Sequence, residues 1–278
     1  MKPSVPAIIG NYLGVILILF WGLAPFYWMV VTALRESQYT FDTTPWPTHL
    51  TLNNFRDALA TNTGNDFLGA ITNSLIIGLV TTALAVMLGV FTAYAIARLD
   101  FTFKGVVTGI ILAASMFPGI ALVTPLFQLF GDLNWIGTYQ ALIIPNISFA
   151  LPLTVYTLVS FFRQLPWELE EAARVDGASR GQAFRKVLLP LAAPALFTTA
   201  ILAFIATWNE FMLARQLSTN ATEPVTVAIA RFSGPSQFEF PYAAIMAAGS
   251  LVTIPLIIMV LVFQRRIVAG LTAGGVKA

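Results

Sequence analysis

Six stretches of the chain run for more than 20 residues without a charged side chain: 3–34, 67–97, 105–131, 133–162, 187–209 and 240–264. The next longest such run, 43–55, is short, polar and Pro-containing. A helix needs about 20 apolar residues to cross a bilayer. Backbone groups in hydrocarbon must pair within their own segment, so helices are the expected form. The ~10-residue alternating segments of a β-barrel are absent. The pattern predicts an all-α integral membrane protein, one transmembrane domain over 1–278. Its six spans fall at about 8–34, 68–97, 106–130, 139–162, 192–213 and 241–263. The first apolar stretch is longer than a signal-peptide core and no A-x-A site follows it, so it is expected to remain as a span.

Composition supports this reading. Hydrophobic residues make up 57% of the chain and charged residues 10%, against roughly a quarter charged in soluble domains. A soluble enzyme of this length could not hide that much apolar surface. Charge adds orientation. If the connections alternate sides, Lys2, Arg98, Lys104, Arg163, Arg174, Arg180, Arg185, Lys186, Arg265, Arg266 and Lys277 share one side, and only Arg35, Arg56, Arg215 and Arg231 lie on the other. The basic-rich side is expected to be cytoplasmic, with both termini on it. Few basic residues remain to suggest nucleic acid. The chain has no cysteine, which removes thiol chemistry and Cys-type metal sites.

Three connections are long: 35–66, 163–191 and 214–240, followed by a C-terminal tail, 264–278. Interior prolines at 118, 125, 145, 152 and 255 mark either ordinary packing irregularities or breaks beside a water-filled path.

The cytoplasmic loop 163–191 is the most charged part of the chain. Pro166 suits a helix start, and Glu168, Glu170 and Glu171 follow in the early turns, where carboxylates favour the positive helix end. Gly177 ends that helix. Ser179 and Gln182 form a capping box that starts a second one, running toward Pro190 and Pro194. Leu169, Ala172, Ala173 and Asp176 have the spacing of one helix face. The loop is too short for a core of its own. Such a helix pair lies on the membrane surface or docks into a cytoplasmic partner.

The spacing Glu171-Ala172-Ala173, Gly177, Val187, Leu189-Pro190 resembles the EAA loop of ABC importer permeases, with Val187 where the family pattern has Ile. The Asp176-Gly177-Ala178 triplet, Phe184 and the run through Leu191 are similar to the carbohydrate-import, MalG-like branch. Ala206–Glu210, Ser233–Glu239 and the ending Gln264–Lys277 resemble its trehalose-importer permeases. The resemblance covers nearly the whole chain.

It implies a type I ABC importer permease. The partners would be a second permease subunit, an ATPase dimer and an extracytoplasmic sugar-binding protein, and the substrate a disaccharide such as trehalose. The chain would bind no cofactor and would not be an enzyme. It has no G-x-x-x-x-G-K-[ST] phosphate loop, so ATP and Mg would be used by the partner ATPase. By the same resemblance, Glu171, Ala172, Ala173, Asp176, Gly177, Leu189 and Pro190 would couple to the ATPase, with Glu171 fixing the loop through charge-assisted hydrogen bonds. Gly270, Leu271, Thr272, Gly274 and Gly275 of the tail would touch the ATPase. Gly234, Pro235, Ser236, Gln237 and Phe238 would reach the binding protein, unless they form a plain surface turn.

Candidates for the sugar path are Trp208, Asn209 and Glu210, with Asn146, Ser148 and Gln128 behind them. A carboxylate beside a span faces an aqueous cavity or a partner, whereas Trp208 also fits an interfacial anchor. His49 is the only histidine; without a carboxylate cluster it is expected to be an exposed loop residue, not a metal ligand. A membrane enzyme lacks paired carboxylates here. A channel or secondary transporter, and an ABC permease for a non-sugar solute, remain as alternatives.

Overall fold

The computed structural model describes residues 5–60, 66–232 and 240–273. Among them the secondary structure is helical, apart from an isolated antiparallel bridge between Arg35 and Leu50. Four helices are long and apolar enough to cross a membrane unbroken: α1 (Val5–Ala33), α3 (Phe67–Arg98), α6 (Tyr139–Gln164) and α13 (Tyr242–Ala273). Between α1 and α3 lies the short α2 (Asn53–Leu59).

The other two expected spans are bent, which revises the picture of six straight helices. Lys104–Ser115, forming α4, meets Gly119–Asp132 at 90°. That second limb opens with a 3-10 turn and continues as α5 (Val123–Asp132). Pro118 sits at the corner and supplies no N–H to carry the helix on, and the neighbouring Met116 and Phe117 are exposed. Likewise Arg180–Leu191 meets Ala193–Trp208 at 71°. The first limb comprises α8 (Arg180–Ala183), a π-turn at Phe184–Leu188 and α9 (Leu189–Leu191); the second is α10. Counting each bent pair as one span gives six.

The chain divides into two compact units, Met1–Leu68 with Ala228–Pro255, and Gly69–Val227 with Leu256–Ala278. In the first, the loop after α1 is organised by Arg35. Its side chain is fully buried, its guanidinium donates to the Asp42 and Thr44 carbonyls, and it lies 5.1 Å from the Trp28 ring. Asn54 pins the loop's start, donating to the Ala33 and Arg35 carbonyls at 2.8 and 2.6 Å. His49 is exposed and stacks on Tyr39 at 3.8 Å between ring centroids.

In the second unit α6 is the central element. Its inward positions recur at three- and four-residue spacing, from Ala141 and Leu142 to Leu158, Val159 and Phe162, and both of its prolines are buried. Small residues let neighbours approach closely. A Cβ on Gly78 of α3 would lie 2.8 Å from the Phe204 ring of α10, and one on Gly89 would overlap the Thr154 methyl group of α6. Toward the other end, α11 (Met212–Leu217) and α12 (Val225–Ala230) are tied to α3. Asn73 donates to the Ala221 and Glu223 carbonyls at 3.2 and 3.1 Å, and Ser74 accepts from the Val225 N–H at 2.8 Å.

Candidate functional site

The charged loop folds as an elbow. Its first limb is α7 (Glu168–Val175), with Glu168, Glu170 and Glu171 in the first turn. It ends in a double closure: the Ala178 N–H donates to the Ala173 carbonyl and the Gly177 N–H to the Arg174 carbonyl, each at 3.0 Å. These are the two bonds of a Schellman ending. Gly177 has φ of +88°, which an L-side chain resists. Open space surrounds the position where its Cβ would sit, so the requirement for glycine is conformational. The second limb starts two residues later. Ser179 Oγ accepts from the Gln182 N–H at 3.3 Å, and Gln182 Oε1 accepts from the Ser179 N–H at 2.8 Å, the reciprocal capping box that the spacing predicts.

A hydrophobic cluster holds the elbow to the helices. Phe184 and Leu188 of the second limb pack with Val90, Ala93 and Ile96 of α3 and with Val155, Leu158 and Phe162 of α6. The first limb is held by polar bonds. Glu170 is 6% exposed and its Oε1 accepts from the Tyr94 hydroxyl at 3.0 Å. Arg98, also 6% exposed, donates to the Leu165 carbonyl at 2.6 Å, with Trp167 lying 4.4 Å over its guanidinium.

Glu171 points the other way and is exposed, as are Ala172, Asp176 and Gly177, with Ala173 half-buried. The carboxylate that fixes the loop within this chain is therefore Glu170, not Glu171. The expected face of Leu169, Ala172, Ala173 and Asp176 also divides: Leu169 and Ala173 turn partly inward, Ala172 and Asp176 outward. Val175, 88% exposed, stands at the tip. Leu189 is half-buried and Pro190 exposed on the second limb. The outer face thus offers a small apolar tip ringed by charge.

A second feature lies nearer the other end of α6. A cavity of about 280 Å³ is lined by Gly119, Ile120, Asn146, Phe149, Thr207 and Glu210, among others. Glu210 occupies the break after α10 and caps α11, its two carboxylate oxygens accepting from the Leu213 and Ala214 N–H groups at 2.8 and 3.0 Å. Asn146 is buried and donates to the Leu142 carbonyl at 2.8 Å, leaving its amide oxygen for another donor. Of the sequence candidates, Glu210 and Asn146 line this cavity. Trp208 does not: it is 2% exposed and stacked on Phe204 at 5.4 Å, a packing residue and not an interfacial anchor. Asn209 is exposed, its amide nitrogen donates to the Ile205 carbonyl at 2.8 Å, and it is outside the lining. Ser148 and Gln128 are exposed and also outside the lining.

Residues 85–272 match the family described as binding-protein-dependent transport system inner membrane component. The chain belongs to this family. Among the permease's relatives is the trehalose transport system permease protein SugB of Mycobacterium tuberculosis, 48% identical over 94% of each chain. The trehalose/maltose transport system permease protein MalG of Thermococcus litoralis is 43% identical, over 97% of this chain and 95% of that one. A bacterial ABC transporter involved in the import of the acidic polysaccharide alginate shares the fold, with a TM-score of 0.76 at 22% identity, over 95% of the permease and 99% of that chain.

Gly234, Pro235, Ser236, Gln237 and Phe238 lie outside the described residues, as do Gly274 and Gly275. Gly270, Leu271 and Thr272 fall in the last turns of α13, which runs on past the expected end of its span at 263 to Ala273. Tyr94 was not singled out by sequence, and Glu170 and Arg98 entered only as an early-turn carboxylate and an inner-side basic residue. The signal for the first and last is a Tyr and an Arg four residues apart at the end of a charge-free run.

Proposed function

We propose that this permease forms half of the translocation path of an ATP-driven, binding-protein-dependent sugar importer, taking a disaccharide such as trehalose. Its α7–Gly177–α8 elbow seats in a partner ATPase, and both chain ends lie on that cytoplasmic side. The elbow carries the reading. It is held inward by Glu170, Phe184 and Leu188 while Glu171, Ala172, Val175 and Asp176 are left outward. A surface-lying amphipathic pair would instead turn a continuous apolar face outward. ATP binding by the partner would favour one global state through its differential affinity for the two, moving the elbow as a unit. ATP and Mg are then used by the ATPase, and this chain performs no catalysis.

The cavity beside Glu210 and Asn146 is the proposed wall of the sugar path, having a carboxylate and an amide for hydroxyl groups and the Phe149 ring for a sugar face. The identities to the relatives named for trehalose support the choice of disaccharide.

The test is reconstitution in vesicles with the second permease, the ATPase and the binding protein. ATP-dependent uptake is measured against a disaccharide panel, trehalose first. Uptake that needs both ATP and the binding protein supports the proposal. An uptake driven by an ion gradient with the ATPase omitted would replace it with secondary transport.

A further inference from the structure

We infer that Tyr94, Arg98 and Glu170 form the buried joint that carries the elbow's displacement into α3, a positioning role that rests on the proposed coupling of the elbow to an ATPase. Tyr94 and Arg98 are one turn apart on the last part of α3, so they share a face. Three successive parts of the loop converge on that face. The connection from α6 arrives first, its Leu165 carbonyl held by Arg98 at 2.6 Å and its Trp167 ring covering the guanidinium at 4.4 Å. The first turn of α7 follows, with Glu170 bonded to the Tyr94 hydroxyl at 3.0 Å. The returning limb then places Phe184 against the Tyr94 ring at 4.5 Å between centroids. Both limbs of the elbow are thus fastened to the same turn of one spanning helix.

The chemistry distinguishes this cluster from ordinary packing. A carboxylate and a guanidinium are buried together, each 6% exposed. Glu170 Oε2 and the Arg98 Nε and Nη1 have no hydrogen-bond partner, and no direct ion pair joins the two side chains. Burying unpaired charge is costly, and removing a partner from such a site leaves the other group uncompensated. Nothing in the packing of Phe184 and Leu188 requires these charges, since the hydrophobic cluster alone would hold the second limb. The first limb lacks such an anchor: of its residues only Glu170 is buried. Without the Tyr94 bond, a push on the outer face of α7 would tilt that limb away from α3 instead of moving the helix.

The experiment uses the full reconstituted complex and reads sugar taken up per ATP hydrolysed, together with complex yield. Tyr94→Phe is expected to leave complex yield and ATP hydrolysis close to wild type while uptake per ATP falls about ten-fold, the size of a typical coupling free energy; Glu170→Ala is expected to lower the ratio as far, with some loss of yield from the guanidinium it leaves uncompensated. Glu170→Gln keeps an oxygen for the Tyr94 hydroxyl and is expected to restore most of the ratio. A ratio unchanged in both Tyr94→Phe and Glu170→Ala overturns the joint. So does a parallel fall of uptake, hydrolysis and yield with no rescue by Glu170→Gln, which marks a role in folding alone. Wild-type complex run alongside separates the two proposals: absence of ATP-driven uptake there defeats the importer reading itself, and the joint with it.

Discussion

Gly177 shows how one backbone dihedral constrains the shape of the elbow. Its φ of +88° with open space around the missing Cβ predicts a graded series and not a steric threshold. Gly177→Asn, which tolerates this region, should retain most uptake. Gly177→Val, β-branched and strained by about 1–2 kcal/mol or more, should lose it while the protein still inserts; equal uptake by the two variants would show that the dihedral is irrelevant. Glu210 makes a second case. Glu210→Ala removes both acceptors from the first turn of α11 and should lower the stability of the solubilised complex by about 1 kcal/mol, read as a drop in thermal midpoint. Glu210→Gln, retaining one acceptor, should fall between. At this scale the sequence was only partly legible. Gly177, Ser179 and Gln182 announce their roles through local spacing. The choice between Glu170 and Glu171 does not, because it depends on Tyr94, distant in the chain, and because an eight-residue helix is too short for periodicity to fix its rotation.

Apolar segments, in turn, were legible in extent but not in continuity. A charge-free run reports that a segment can sit in lipid and says nothing of whether it is straight. Interior prolines were visible in the runs, yet α6 stays continuous through Pro145 and Pro152, both buried among its neighbours, whereas the chain turns at Pro118 beside exposed residues. Proline deletes one bond and clashes with one carbonyl; tertiary packing decides whether the helix survives. Where elements do stay straight, close approach matters. Gly89→Ala should press into the Thr154 methyl and destabilise the α3–α6 crossing by about 1–3 kcal/mol. Adding Thr154→Ala should recover much of that thermal midpoint; no recovery would place the strain elsewhere. Ser179→Ala should speed hydrogen exchange at the Gln182 amide about five-fold, the effect of roughly 1 kcal/mol lost from a helix cap, with little change at α10.

For the molecule as a whole, burial separates the spans by role. The apolar window of α6 is 50% buried and that of α1 only 6%, so α6 organises its unit while most of the apolar side chains of α1 are exposed. The absence of cysteine permits a direct test of what the elbow meets. Val175→Cys would be the chain's sole thiol, and its reaction with a maleimide should be fast in the isolated permease and strongly suppressed once the ATPase is bound. Equal reactivity in both would place the elbow tip outside the interface. The two closures that meet at residues 176–179 have one further consequence. The bend between the limbs is set by main-chain bonds, one glycine and the Ser179 and Gln182 side chains, with no side-chain hydrogen bond from Ala172, Val175 or Asp176. Mutation can therefore redraw the sole of this foot, and with it the engine that the proposed docking would choose, while the ankle keeps its shape.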